Sequence, residues 1–276
     1  MIVKILDDFD LLKIAESGQC FRVKQFDDVF RFITQHHIIY ISKLSDTSYS
    51  VSCTENEWER IWSPYFDLKR RYSDLIEQIP PSDLFLKRAV KEGTGIRILV
   101  QDRWETLISF IISQRKSIPS IKDSIEELSK RFGHSITTPY ETVYTFPTPE
   151  DMLFDGVTSA DLRNCKVGYR ADYILSALSY VHNGEFRLDS MSELNDEDLF
   201  NRLLEIRGVG NKVASCVCLF SYHRTSFAPI DTWIQKVIDV HYHGVNPLNS
   251  FGNNAGIMQQ YIFYYTQKHK DDFKHG

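Results

Sequence analysis

The stretch LLEIRGVGNKVASCVCLFSYHRTSFAPIDTW, from Leu203 to Trp233, decides how this chain reads. Ahead of it, Asn195 is placed to cap a helix whose apolar face is Leu199, Phe200, Leu203, Leu204 and Ile206. Gly208-Val209-Gly210 ends that helix, since two glycines tolerate left-handed backbone and let the main chain come close to an outside group. Val213, Val217 and Phe220 then recur at helical spacing, so a second helix starts at once. The tight turn leaves free amide groups at that helix's N-terminus, which suits an anion such as a phosphate.

Lys212 stands in the first turn of the second helix, with Cys216 one turn on and on the same face. The helix dipole disfavours a cation there, and an amine that has lost its proton is a nucleophile. Pro229 fixes the chain before Asp231, and Ile234, Val237 and Ile238 follow at helical spacing. Asp231 is therefore expected as an N-cap whose carboxylate can also face the lysine. Arg202, Arg207, Lys212 and Arg224 gather around the hairpin, with only Glu205 opposing them. On spacing alone, a plain backbone clamp and a plain helix cap both remain open.

Together, Gly208-Val209-Gly210, Lys212 and Pro229-Ile230-Asp231 resemble the signature of the helix-hairpin-helix DNA glycosylases. In that superfamily a G-[VI]-G hairpin is followed, in bifunctional members, by a lysine and then by a Gly/Pro-rich turn ending in the catalytic aspartate. Ser17-Gly18-Gln19-Cys20-Phe21-Arg22 by itself reads as a turn entering a strand, yet it resembles the S-G-Q-x-F-R element of the 8-oxoguanine DNA glycosylases. The resemblance gives the Gly18 carbonyl the N7–H of the damaged base, a hydrogen that undamaged guanine lacks. In GIMQQYIF, Gln259 and Phe263 share a helical face. Carried over from the family, they read the base's Watson–Crick edge and stack on its ring, opposite Cys216.

RILVQDRWETLISFIISQRKSI, opening at Arg97, resembles the family's entry helix and the loop that inserts into the duplex. This puts Arg115 and Lys116 on the DNA, where the family typically has asparagines. Tyr144 and Phe146 are candidates for the wedge that holds the duplex open, or else are loop anchors against the core. Val167-Gly168-Tyr169-Arg170-Ala171 resembles the G-Y-R-A element, a turn into a helix with a structural Arg170.

At 276 residues and 32.2 kDa, with 42% apolar residues, the chain suits one large or two modest domains. No run approaches the roughly 20 apolar residues of a membrane span, and the start, MIVKILDDFD, lacks a signal peptide's regions. An intracellular, non-secreted protein is expected. The five cysteines form no CxxC pair and no zinc spacing. Their placement also does not match the four-cysteine iron–sulfur loop of some related glycosylases. A net charge of −5 argues weakly against nucleic acid, but a local face decides that question, not the total.

Short β-like runs at Phe21–Val23, Val29–Thr34, Ile38–Ser42 and Tyr49–Cys53 predict a small antiparallel sheet. Helical patterns take over from Glu57, and Pro80-Pro81 marks a change of element. Arg97 to Phe132 reads as two helices joined near Ser113–Pro119, and Asn254–Tyr265 as a C-terminal helix. The expected fold is α+β, with an N-terminal antiparallel sheet domain over 1–90 and an all-α helix-hairpin-helix glycosylase domain over 91–276. The resemblance implies a bifunctional glycosylase and abasic-site lyase that flips 8-oxoguanine out of duplex DNA. It excises the base through a Schiff base on Lys212, with Asp231 assisting, and then β-eliminates. It implies a monomer with double-stranded DNA as partner, no membrane, no required cofactor and, as is common in such folds, a monovalent cation at the hairpin carbonyls. An alkylbase glycosylase on the same fold works with the aspartate alone, so Lys212 argues against it. A non-catalytic hairpin module would not need Lys212 and Asp231 together.

Overall fold

Alternating apolar residues and two tight turns build the N-terminal sheet. In the computed structural model, which describes residues 1–273, its strands are β1 (Ile2–Lys4), β2 (Lys24–Phe26), β3 (Val29–Thr34), β4 (His37–Lys43) and β5 (Ser48–Val51). They pair antiparallel in the order β1-β5-β4-β3-β2. Two-residue loops close β2–β3 and β3–β4, each entered through a left-handed residue, Asp27 (φ 48°) and Gln35 (φ 52°). The register sets Phe30 opposite Ile41 and Phe32 opposite Ile39, so ring and β-branched side chains meet across the sheet. Phe32, Ile39 and Ile41 then bury against Trp62 and Phe66.

Two expectations change here. The short strand β1 pairs with β5, although its three residues carry too little pattern to be recognised. Phe21–Val23 is not a strand: Phe21 packs into the helical core while Cys20 and Val23 pack under the sheet, so the chain twists between two cores at this point.

The remainder is largely helical: α1 (Leu11–Glu16), α2 (Leu84–Gly93), α3 (Arg103–Ser113), α4 (Ile118–Phe132), a small hairpin of β6 (Ser135–Thr137) and β7 (Thr142–Tyr144), α5 (Ala171–His182), α6 (Asp196–Leu204), α7 (Asn211–Phe220), α8 (Thr232–Tyr242) and α9 (Ala255–Lys268). Residues 72–90, grouped with the sheet by sequence, pack into the helical core through Tyr72, Leu75, Phe85 and Leu86. α9 is buried on all sides from Ala255 to Ile262, and so runs through the core instead of lying on it. Among the described residues, no helix is long and apolar enough to cross a membrane.

Helix α3 starts at Arg103, behind an Asp102 cap, and not at Arg97. The intervening strap is held by Arg97 itself, which is fully buried. Its guanidinium donates to the carbonyls of Phe66, Asp8, Asp67 and Arg70 and to the Asp7 carboxylate at 3.1 Å. With five partners, the buried cation is satisfied and ties the strap to the loops around it. Burial pushes the Asp7 carboxyl up, but the N–H groups of Tyr72 and Ser73, together with Arg97, outweigh it and hold the group at about 2.

Arg97→Met is expected to cost about 3–5 kcal/mol, because it strands the Asp7 charge and four carbonyls. A urea midpoint within experimental error of wild type would contradict that. The depressed Asp7 carboxyl stabilises the fold above its ordinary 3.8, and this contribution is lost as pH falls from there toward about 2. Asp7→Asn should therefore flatten the fall in urea midpoint across that acid window.

Candidate active site

One cavity of about 840 Å³ opens where α3, α7, α8 and α9 meet the turn that follows α1. Lys212 enters it from the first turn of α7. Its Nζ sits 4.8 Å from the centroid of the Phe110 ring, which is itself stacked on Phe220. Cys216 lies one turn on and lines the same cavity. Burial pushes its thiol up to about 11, with the lysine charge pulling the other way. The site therefore presents Lys212 with a neutral thiol.

Asp231 caps α8. Its Oδ1 accepts from the N–H groups of both Trp233 (3.0 Å) and Ile234 (2.9 Å), and the second carboxylate oxygen takes no part in the cap. Burial raises its proton affinity, while the Ile234 N–H and the charge of Lys212 act against that. The carboxylate thus does both things its position suggested: it caps a helix and interacts with the lysine.

The opposite wall comes from α9 and the Ser17–Arg22 turn. Gly18 has φ +74°, and a Cβ built there would lie 2.8 Å from the edge of the Phe263 ring, so glycine leaves the room this ring occupies. Gln19 anchors the turn. Its Nε2 donates to Ser17 Oγ (2.8 Å) and the Arg97 carbonyl (2.9 Å), and its Oε1 accepts from the Leu99 N–H (2.7 Å). Gln259 and Phe263 line the same space from α9. The structure thus brings Gly18, Lys212, Cys216, Asp231, Gln259 and Phe263 to one cavity from four separate parts of the chain.

The hairpin is built differently from the expectation that both glycines need special backbone. Only Gly208 is left-handed, at φ +88°, and a Cβ there would press to 2.3 Å from Tyr173. Gly210 is extended, at φ −103°, with open space outside it. Val209 is buried, and Gln114 Nε2 donates to the Gly208 carbonyl at 3.0 Å. Gln114 also holds the following loop, since the Arg170 guanidinium donates to its carbonyl. The expected basic cluster is largely ion-paired at the surface. Arg202 pairs with Glu205 and donates to the Glu185 carbonyl, and Arg224 pairs with Asp196, while Arg207 is exposed and Lys212 points into the cavity.

Arg115 is exposed at the cavity mouth in a left-handed conformation, φ 50°. The Lys116 ammonium donates to Ser124 Oγ and the Lys166 carbonyl, while the residue lines the cavity beside Arg115. Tyr144 and Phe146 do not line the cavity: Tyr144 ends β7, and Phe146 is core. The sequence reading passed over a better-placed aromatic. Tyr169 is half exposed beside left-handed Gly168, with Arg170 stacked 4.4 Å from its ring, and Arg170 reaches the loop at Gln114. The available signal was an aromatic next to a glycine in a loop, in a motif where attention went to the arginine. Gln19, Phe110 and Gln114 were also missed. Each carries its meaning through a partner distant in sequence.

Residues 1–107 match the family model for the N-terminal domain of 8-oxoguanine DNA glycosylase. The probable N-glycosylase/DNA lyase of Methanothermobacter thermautotrophicus is 30% identical over 231 residues, which is 74% of this chain and 73% of that protein. The fold superposes on MBOgg1 in complex with a low-affinity DNA ligand with a TM-score of 0.91, at 36% identity, covering 98% of this chain and 96% of that one. It matches Clostridium acetobutylicum 8-oxoguanine glycosylase/lyase in complex with double-stranded DNA equally well: TM-score 0.91, 33% identity, 98% and 95% coverage. With this identity carried over nearly the full length of solved relatives, the chain belongs to the 8-oxoguanine DNA glycosylase family of N-glycosylase/DNA lyases.

Proposed function

We propose that this protein removes 8-oxoguanine from duplex DNA with Lys212 as nucleophile and Asp231 as its partner, then nicks the strand at the resulting abasic site. The observation that carries the reading is the meeting of Lys212 and Asp231 with Gly18, Gln259 and Phe263 in one cavity. A base inside a duplex is out of reach of any side chain, so the lesion must be swung out and unstacked. The cavity volume lies in the range of small-molecule sites, and its two ends divide the work. Phe263 and Cys216 sandwich the base, Gln259 faces its Watson–Crick edge, and the Gly18 carbonyl accepts N7–H. At the other end Lys212 Nζ attacks C1′, the bond from C1′ to N9 breaks, and the base leaves with the electron pair.

Positive charge grows on the sugar as that bond stretches, and the Asp231 carboxylate stabilises it through the low-dielectric cavity. After ring opening the C1′–Nζ bond becomes a Schiff base. Loss of a C2′ proton then expels the 3′ phosphate by β-elimination. Gly210, with open space outside its extended backbone, and the free N–H groups at the start of α7 take a DNA phosphate. Arg115 enters the duplex at the cavity mouth, and Tyr169 is placed to wedge the gap.

The proposed chemistry asks for no redox cofactor. A monovalent cation at the hairpin carbonyls stays part of this reading, since a carbonyl such as that of Ile206, which accepts from the Val209 N–H, keeps a second lone pair. Acting on DNA, the protein works inside the cell, and one copy of the chain supplies the residues that line this cavity.

Lys212→Gln should abolish the borohydride-trapped covalent adduct on 8-oxoguanine duplexes yet retain duplex binding, and Asp231→Asn should slow turnover by orders of magnitude while keeping the melting temperature, since asparagine caps as well as aspartate. A trapped adduct with Lys212→Gln would mean another amine is the nucleophile. The hairpin glycines should separate. Gly208→Ala loses stability through strain and the Tyr173 clash, by about 1–3 kcal/mol, whereas Gly210→Ala keeps its melting temperature and weakens DNA binding. Equal melting losses would refute this division.

A further prediction concerns the opposite strand. Ser120, exposed and hydrogen-bonded by Ser117 Oγ at 3.0 Å, stands where the resemblance places an arginine that reads the estranged cytosine. Such a bidentate arginine contributes about 1–3 kcal/mol of discrimination, and a hydroxyl that both donates and accepts does not replace it. Excision opposite adenine or thymine should therefore approach the rate opposite cytosine. A cytosine preference above about a hundredfold, roughly 2.7 kcal/mol, would contradict it.

A further inference from the structure

Gln260, the residue after Gln259, is 3% exposed and lines the same cavity. Its Nε2 donates to Gln259 Oε1 at 3.0 Å, while its own Oε1 is closed to solvent and has no partner. Consecutive helix residues ordinarily point apart, yet these two amides meet in the core-running helix α9. A buried acceptor left unpaired is a penalty that leucine or methionine at this position would not carry, so its retention calls for a reason.

The reason lies in what the contact does to Gln259. An amide can exchange its oxygen and its NH2 by a half-turn, because the terminal torsion is roughly two-fold. With Oε1 held by Gln260, a half-turn of Gln259 alone would set NH2 against NH2. The amide of Gln259 can therefore reverse only if Gln260 reverses with it. In the setting observed, Gln259 offers the cavity an NH2 donor beside the second lone pair of its oxygen. A guanine-type edge carries N1–H next to O6, which this pair matches. An adenine-type edge carries the inverse, N1 as acceptor next to an N6–H donor, and matches the reversed amide.

We propose that Gln260 is a positioning residue for base specificity: it locks the Gln259 amide toward the guanine-type edge of an extruded oxidised purine and against the adenine-type edge. The inference rests on the reading of the cavity given above as an oxidised-purine site. 8-Oxoguanine and 8-oxoadenine share the C8 oxygen and N7–H, so among the contacts proposed only this edge separates them.

The test uses single-turnover base release from duplexes carrying either base opposite the same partner, with borohydride trapping on a preformed abasic site as control. Gln260→Leu and Gln260→Met should each lower the ratio of 8-oxoguanine to 8-oxoadenine release at least tenfold. Trapping on the abasic site should stay at the wild-type level, because no base edge is present to be read. A ratio within twofold of wild type in both variants overturns the proposal. So does a loss of release and abasic trapping by one common factor, which would make the residue merely structural. Wild-type protein that traps on the abasic site but releases neither base would overturn the oxidised-purine reading beneath it, and the proposal with it.

Discussion

A single buried side chain joins the two halves of this molecule at the point where chemistry is proposed. Gln19 uses both ends of its amide, one on Ser17 and the Arg97 carbonyl, the other on the Leu99 N–H. Gln101 adds a bond back to the Gln19 carbonyl and another from its own N–H to Phe220, at the end of the lysine-bearing helix. The turn carrying Gly18 is thus tied to the strap that Arg97 anchors, and that strap to α7. Loosening this amide would let the base-facing wall drift relative to the nucleophile. An amide serves here because it satisfies donors and acceptors at once without bringing a charge into the core.

The electrostatics follow a similar economy. A chain of net charge −5 reads poorly as a DNA binder, and the structure shows that some of its positive charge, on Arg22, Arg31, Arg97 and Arg170, is committed inside. Arg22 and Arg31 are buried between the sheet and α4, against Glu126 and Glu141. Around the hairpin and the cavity mouth, what faces a polyanion is local: Arg207, Arg115 and the amide groups at the start of α7. Orientation, more than total charge, decides what such a surface can hold.

How much of this could be read beforehand depends on whether the information is local. The hairpin, the Asn195 and Asp231 caps and the helical face carrying Gln259 and Phe263 were legible because each is a short-range pattern with one physical meaning. The bonding of Lys116 was not, since its ammonium is held by Ser124 and by the Lys166 carbonyl, a partner 50 residues away in sequence. Tyr144 and Tyr169 look alike in sequence, and only the packing sets Tyr169 beside Arg170, which reaches the loop at Gln114. Strand β1 was lost for a related reason: it forms one edge of the sheet, and its partner, β5, begins only at Ser48. The G-V-G motif was recognised correctly, yet its two glycines turned out to serve different ends, one conformational and one spatial.

Cys216 carries a consequence for durability. A protein that meets oxidised DNA works where peroxides are formed, and a cysteine beside an amine would ordinarily be a target for them. The thiolate is the reactive form. Burial pushes the Cys216 thiol up to about 11, which disfavours the thiolate at neutral pH. The same enclosure that seats it in the cavity wall therefore disfavours the form that reacts with the oxidants that create the lesion.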